Sequence, residues 1–402
     1  MFNKNYLIIF LFILSQKTSF SQTWLQISDF PSTERDDGSS FIIGNKAYCG
    51  TGLKTGWVAG NDMYAFNMDS ETWSIISSLP AGTERQYASG FSYANSGFIF
   101  GGMDGSNYYN DLYTYDTITG NWQAKTALPS LGRMGAACFV IDTIAYIIGG
   151  RTIANNSIDE VWAYNITTDS WTQKNNLPFG ARWRASAAAQ GNKGYLVFGL
   201  DSTNHYRREL FEYDPNTDLW TQLSSFPYIG RIYAAMQSIA GDLILLAGLD
   251  SLGISNNDMW RINTATLVWQ QLASIPGPGR KGGMCFSSNT TIYYTTGIDQ
   301  TNVRLKETWK VFNPTGIKEN SEVNSVRIYP NPCNGIFNLS IDKLNNDQHI
   351  IVSISDIFGN SIRKTEMLNG NQTIDISQHA KGIYFVKIEN GHSVEVKKIV
   401  VQ

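Results

Sequence analysis

Six arginines, Arg35, Arg85, Arg133, Arg182, Arg231 and Arg280, recur in one register along the chain, and so do six acids, Asp62, Asp111, Glu160, Glu209, Asp258 and Glu307. A guanidinium stays charged and its planar fork matches a carboxylate bidentately. Six of them could grip the acidic groups of a ligand, or could each be tied to the acid of a unit. The presence of both partners in every unit favours the tie. Residues that do not repeat are more informative: Trp57, Tyr108, Tyr109, Arg151, Trp183, Arg184, His205, Tyr206, Arg207, Arg208 and Tyr233. Aromatic faces beside arginine are a usual means of holding sugars, peptides or acidic groups, although each such residue alone reads equally as a solvated loop side chain.

Other chemistry has little material. Four Cys and four His in 402 residues exclude a disulfide-dense scaffold, a zinc ribbon and a multi-histidine metal site. There is no nucleophile-elbow serine and no helix bearing two histidines. Asp104, Asp201, Asp250 and Asp299 open loops, yet none has the spaced carboxylates of a calcium loop, so they read as turn formers. Cys138 and Cys285 stand 147 residues apart in equivalent places and read as small apolar packing, while Cys49 and Cys333 have no evident partner. No cofactor or metal is expected. With 31 Lys plus Arg against 34 Asp plus Glu, the net charge of −3 gives no basic field to hold a nucleic acid.

The elements that must carry these residues are strands. Charged residues make up only 16% of the chain, whereas 36 Gly, 20 Tyr, 20 Phe and 11 Trp suit strands and turns. The N-terminus is different: Lys4, an apolar run over residues 6–14 and small residues at Ser19 and Ser21 read as a signal peptide over residues 1–21, cleaved near Ser21-Gln22. That run is too short to span a membrane, and no transmembrane anchor is expected.

Trp24, Trp73, Trp122, Trp171, Trp220 and Trp269 follow one another at 49 residues, and Tyr64, Tyr113, Trp162, Phe211, Trp260 and Trp309 keep the same interval. An apolar-Pro pair follows each member of the first series, from Phe30-Pro31 to Ile275-Pro276. Within one unit, residues 136–141, 145–148, 161–165 and 170–173 read as four short strands. Asn67, Asp116, Asn165, Asp214 and Asn263 fall between the third and fourth, where their side chains can satisfy turn amides. Gly101-Gly102 and Gly149-Gly150 close the second strand; in later units this pair reads as Gly199-Leu200, Gly248-Leu249 and Gly297-Ile298. Residues 23–315 thereby resemble the kelch repeats, whose units form the blades of β-propellers. The resemblance implies an all-β fold, a six-bladed kelch β-propeller over residues 22–315, with the strand around Trp24 completing the sheet that ends at Trp309 and leaving no open edge.

After a polar linker, residues 316–325, seven short apolar segments over residues 326–402 suggest a small Ig-like β-sandwich. Tyr329-Pro-Asn-Pro332, Asn334-Gly-Ile-Phe337, Lys381-Gly-Ile-Tyr-Phe-Val-Lys387 and Lys397-Lys-Ile-Val-Val401 resemble the C-terminal sorting domain of the type IX secretion system of Bacteroidetes. The resemblance implies a partner in that secretion machinery and a location outside the outer membrane, secreted or on the cell surface.

Propeller geometry would place the inter-blade loops and the loops between second and third strands on one face. Arg133, Arg151, Arg182, Trp183, Arg184, His205, Tyr206, Arg207, Arg231, Tyr233 and Arg280 are then the candidate ligand-binding residues of that rim, for an extracellular glycan, peptide or protein. With one histidine in the propeller, the two-histidine copper site of kelch-type galactose oxidases cannot be assembled. The alternative to a binding protein is a mutarotase of the kind seen in six-bladed kelch proteins that interconvert sialic acid anomers, which would need an acid-base pair and an anion-gripping arginine.

Overall fold

Short alternating runs separated by turn formers can bury one face only by pairing with their sequence neighbours. Each 49-residue unit does so as one antiparallel sheet. In the third, Ala137–Ile141, Ile144–Ile148, Val161–Asn165 and Ser170–Lys174 pair in that order. Asn165 Oδ1 accepts the amides of Thr167 and Thr168 at 3.0 and 3.1 Å, which fixes the hairpin between the last two strands. The computed structural model describes residues 23–312, 314, 326–341, 350–357, 360–367, 371–389 and 394–402. The expected signal peptide and linker lie outside these residues.

Six four-stranded sheets of this kind form the first unit. Their inner strands, Ser39–Ile43, Ser89–Tyr93, Ala137–Ile141, Ser186–Gln190, Ala235–Ile239 and Met284–Ser287, touch in sequence and the last touches the first, so the sheets close a ring of six blades. Small residues keep the axis open. A cavity of about 360 Å³ runs along it, lined among others by Ser40, Ser92, Cys138, Ala189 and Ser287.

The sixth blade takes its outer strand from the other end of the chain. Trp24–Ile27 pairs antiparallel with Thr308–Phe312, Trp24 opposite Val311 and Ile27 opposite Thr308. This converts two chain ends into one ladder and removes the exposed edge. Trp24 is buried, and its indole Nε1 donates to Ala273 O of the fifth blade at 2.8 Å. Four more of the 49-residue tryptophan series repeat that tie: Trp73 donates to Ser28 O, Trp122 to Ser77 O, Trp171 to Thr126 O and Trp269 to Ser224 Oγ, each on the preceding blade at 2.8 to 3.2 Å, while Trp220 Nε1 is buried without a partner. Trp24→Phe keeps the ring but leaves the Ala273 carbonyl without its donor, so urea denaturation should show a loss of about 1–2 kcal/mol. An unchanged midpoint would mean that this indole bond contributes nothing to closure.

The second unit, residues 317–402, contains a three-stranded and a four-stranded sheet. Ile336–Ile341 pairs with Val326–Tyr329 and Asn371–Asp375, while Ile350–Asp356 and Gly382–Glu389 form the middle of the second sheet. Phe337, Leu339, Val352, Ile354, Val386 and Ile399 fill the interior. Two of the motifs read from sequence meet here. Asn331 Nδ2 donates to Lys398 O at 2.8 Å and its Oδ1 accepts Val400 N–H at 2.9 Å, so the Tyr329–Pro332 segment clasps the terminal strand Val394–Val401.

Candidate functional site

The repeated arginines open each blade and are turned into it. Arg35 reaches Asp62 at 2.6 and 3.0 Å, Arg85 reaches Asp111 at 2.7 and 2.9 Å, and Arg231 reaches Asp258 at 2.5 and 2.7 Å, each bidentately. Arg133 meets Glu160 at 2.7 Å, Arg182 meets Glu209 at 3.4 Å and Arg280 meets Glu307 at 3.2 Å. All six guanidinium groups are buried. Arg133, Arg182, Arg231 and Arg280, expected at the rim, are thus held inside their own blades, where a buried guanidinium without its carboxylate would be costly. Burial brings Arg182 down to about 10, which leaves it charged at neutral pH. Burial would raise the Asp62 carboxyl, but hydrogen bonds from Arg35 and its charge hold it well below the usual range.

These ties set up a second ring at the mouth of the axial cavity. Two residues after each arginine stand Asp37, Tyr87, Gly135, Arg184, Tyr233 and Gly282, all left-handed, with φ between 54° and 67°. Five of them hand their carbonyl to the next blade: Tyr87 N–H donates to Asp37 O, Gly135 to Tyr87 O, Arg184 to Gly135 O and Tyr233 to Arg184 O, and Asp37 donates back to Gly282 O. The turn is imposed from below by a glycine in every blade. A Cβ on Gly52 would stand 2.6 Å from Asp36 O, and one on Gly102 2.6 Å from Gln86 O. The structure also shifts the expected glycine pair by one position in the later blades: the equivalents of Gly101-Gly102 are Phe198-Gly199, Ala247-Gly248 and Thr296-Gly297, both members of each pair having positive φ. The second member is glycine in every blade, whereas the first carries a side chain in the last three.

The mouth is a cavity of about 190 Å³ lined by these six ring positions and the small residues beneath them. Arg184 dominates it. Its guanidinium lies 3.7 Å from the ring centroids of both Trp183 and Tyr233 and 4.7 Å from that of Tyr87. Its Nε is buried without a partner, and no carboxylate lies within ion-pair distance of it among the described residues. Burial lowers its pKa, opposed by Tyr87 and Asp37. Asp37 is the reverse case. Burial and the neighbouring Asp36 carboxylate raise its pKa well above the ordinary value, and Tyr87 hydrogen-bonds to it. Asp36 is itself paired with Arg304 Nε at 2.5 Å.

Of the rim candidates, Trp183, Arg184 and Tyr233 meet at the mouth, and Arg151 joins them with its guanidinium 5.4 Å from the Trp183 ring. Tyr206 is half-buried and feels the charge of Arg184. His205 and Arg207 stay in their own loop, His205 exposed with Nδ1 2.7 Å from Thr203 Oγ1 and Arg207 on Asp201 at 2.7 Å. Tyr109 donates to Asp104 at 2.9 Å. Asp201 and Asp250 cap their loops, accepting amides of Thr203 and His205 and of Leu252 and Ile254. Cys49, expected to stand alone, lies near Cys285, and burial raises both thiols. Asp36, Asp37, Tyr87 and Arg304 were not among the expected site residues. The repeat register carries a signal for two of them, since the position two after each arginine is glycine in two blades and Asp37, Tyr87, Arg184 or Tyr233 in the rest.

The Attractin/LZTR1 β-propeller family model matches residues 47–252, and the secretion system C-terminal sorting domain matches residues 327–402. No curated protein matches the chain. A solved structure titled "Structure of YjhT" superposes with a TM-score of 0.61 at 17% identity, covering 70% of this chain and 96% of that one.

Proposed function

The chain belongs to the Attractin/LZTR1 β-propeller family and ends in a secretion-system sorting domain, and from that premise we propose that it is a secreted propeller that holds the acidic group of an extracellular glycan, peptide or protein at the mouth around Arg184. Export would run through a signal peptide and then the type IX machinery of a Bacteroidetes cell, which reads the C-terminal domain.

One observation carries the binding reading. Each repeated arginine already has a carboxylate, whereas Arg184 is wedged among three aromatic rings with an unpartnered Nε and no acid of its own. The rings orient the guanidinium and keep it charged at low desolvation cost, and an incoming carboxylate can take the fork. A glycan and peptide array with the full mature chain should give acidic ligands, and Arg184→Gln should weaken them roughly tenfold or more. Equal binding by the variant would move the site elsewhere.

Asp37 favours a second reading, a mutarotase of the sialic acid type. Ring opening at an anomeric centre needs a proton delivered to the ring oxygen while another leaves the anomeric hydroxyl. A protonated Asp37 carboxyl would supply the first, the Asp36 carboxylate would accept the second, and Arg184 would hold the substrate carboxylate. NMR of sialic acid anomers decides it: interconversion no faster with the protein than in buffer removes the enzyme reading and leaves the binding one standing.

A further inference from the structure

Of the eleven tryptophans, Trp57 alone is exposed, with 74% of its surface open to solvent. It ends the connection between the paired strands Leu53–Lys54 and Val58–Ala59 of the first blade, with its N–H on Lys54 O at 3.0 Å and φ at 64°. A short hairpin connection wants glycine or asparagine there, since a bulky residue in the left-handed region costs stability. An exposed indole returns almost nothing in burial. Both effects argue against tryptophan at this position for folding alone, and backbone strain combined with exposure is a mark of function.

Beneath the indole lies Arg304 of the sixth blade, its guanidinium carbon 4.6 Å from the Trp57 ring centroid. Arg304 is 9% exposed, and its Nε is held by Asp36, but its Nη2 has no partner. Asp36 directly precedes Asp37 of the mouth ring. Arg304 Nη2 and Asp36 are closed off from solvent beneath the indole, so beside the mouth the surface presents one open aromatic face backed by a buried cation. That is a platform for a sugar ring, whose C–H groups stack on the open face of the indole.

We infer that Trp57, held from beneath by the Arg304–Asp36 pair, forms a second, neutral-sugar subsite next to the mouth, so that the ligand is an oligosaccharide with an acidic unit at Arg184 and a neighbouring unit on Trp57. This rests on the reading of Arg184 as the anion site, which the experiment tests separately. Affinities for acidic monosaccharides and for acidic oligosaccharides are measured by array and indole fluorescence with the full chain, Trp57→Gly and Arg184→Gln, alongside thermal denaturation. The oligosaccharides should bind the parent more tightly than the monosaccharides and shift the emission of the exposed indole. Trp57→Gly should lose that advantage, roughly tenfold, keep monosaccharide binding, and melt at or above the parent temperature because glycine relieves the strain. Three results overturn the subsite: oligosaccharide affinity retained by Trp57→Gly, a lower melting temperature for that variant, which makes the indole structural, or a parent chain that binds no acidic oligosaccharide. Failure of the anion site shows differently, as Arg184→Gln binding the monosaccharides like the parent.

Discussion

Replacing Arg231 with methionine should lower the stability of the propeller by about 3–5 kcal/mol. The guanidinium is buried, holds both oxygens of Asp258 and also donates to Ala247 O at 3.1 Å. Methionine fills the volume but leaves the Asp258 carboxylate, only 16% exposed, with one remaining donor, Trp260 Nε1 at 2.7 Å. The loss comes mainly from that stranded charge, so the pair need not be worth as much in itself. Adding Asp258→Leu to Arg231→Met should therefore recover a large part of the loss. Urea denaturation of the two variants checks both statements. A single variant within 1 kcal/mol of the parent, or a double variant no better than the single, would show that the tie does not hold the blade.

Asp37→Asn should do the opposite and stabilise the protein, increasingly so as pH rises above the ordinary carboxyl range. Asp37 is buried at φ 55°, a conformation asparagine tolerates as well as aspartate. Its pKa is raised by burial and by Asp36, so the folded state binds its proton more tightly than the unfolded chain does. Its stabilising contribution is complete below the ordinary carboxyl pKa and is lost as pH rises through the raised folded value. The groups facing it are the carboxylate of Asp36 beside it in the chain, the phenol of Tyr87 from the next ring position and the guanidinium of Arg184 from across the ring. Asp201 runs the other way: burial would raise it, but the amides of His205 and Thr203, the Thr203 hydroxyl and Arg207 bring it down to about 2, and its contribution is lost only as pH falls toward that value. Melting temperatures of Asp37→Asn and the parent should coincide near pH 4 and separate as pH increases. A gap independent of pH would mean that Asp37 does not titrate in this range.

The fold was legible because it is periodic. Forty-nine-residue spacing of Trp24 and its five successors is a one-dimensional record of a three-dimensional arrangement, an outer-strand indole that in all but Trp220 donates to the blade before it. The closing strand followed from counting alone, since Trp24 had no strands before it and Trp309 no tryptophan after it. The site was less legible for the same reason. Arg133, Arg182, Arg231 and Arg280 stand out in the sequence by repeating, and what repeats in every blade tends to hold the blade.

What the chain encodes locally is the number of sheets, their turns and the sorting motifs at its end, because strand periodicity, Asx turns and glycine requirements act over a few residues. Only closure of the ring decided which side chains share the mouth. Asp37, Tyr87, Arg184 and Tyr233 come from four blades, up to 196 residues apart, and no local rule brings an aspartate of the first blade beside an arginine of the fourth. Their burial, and with it the raised Asp37 pKa and the caged charge of Arg184, exists only once six sheets exclude water from one axis.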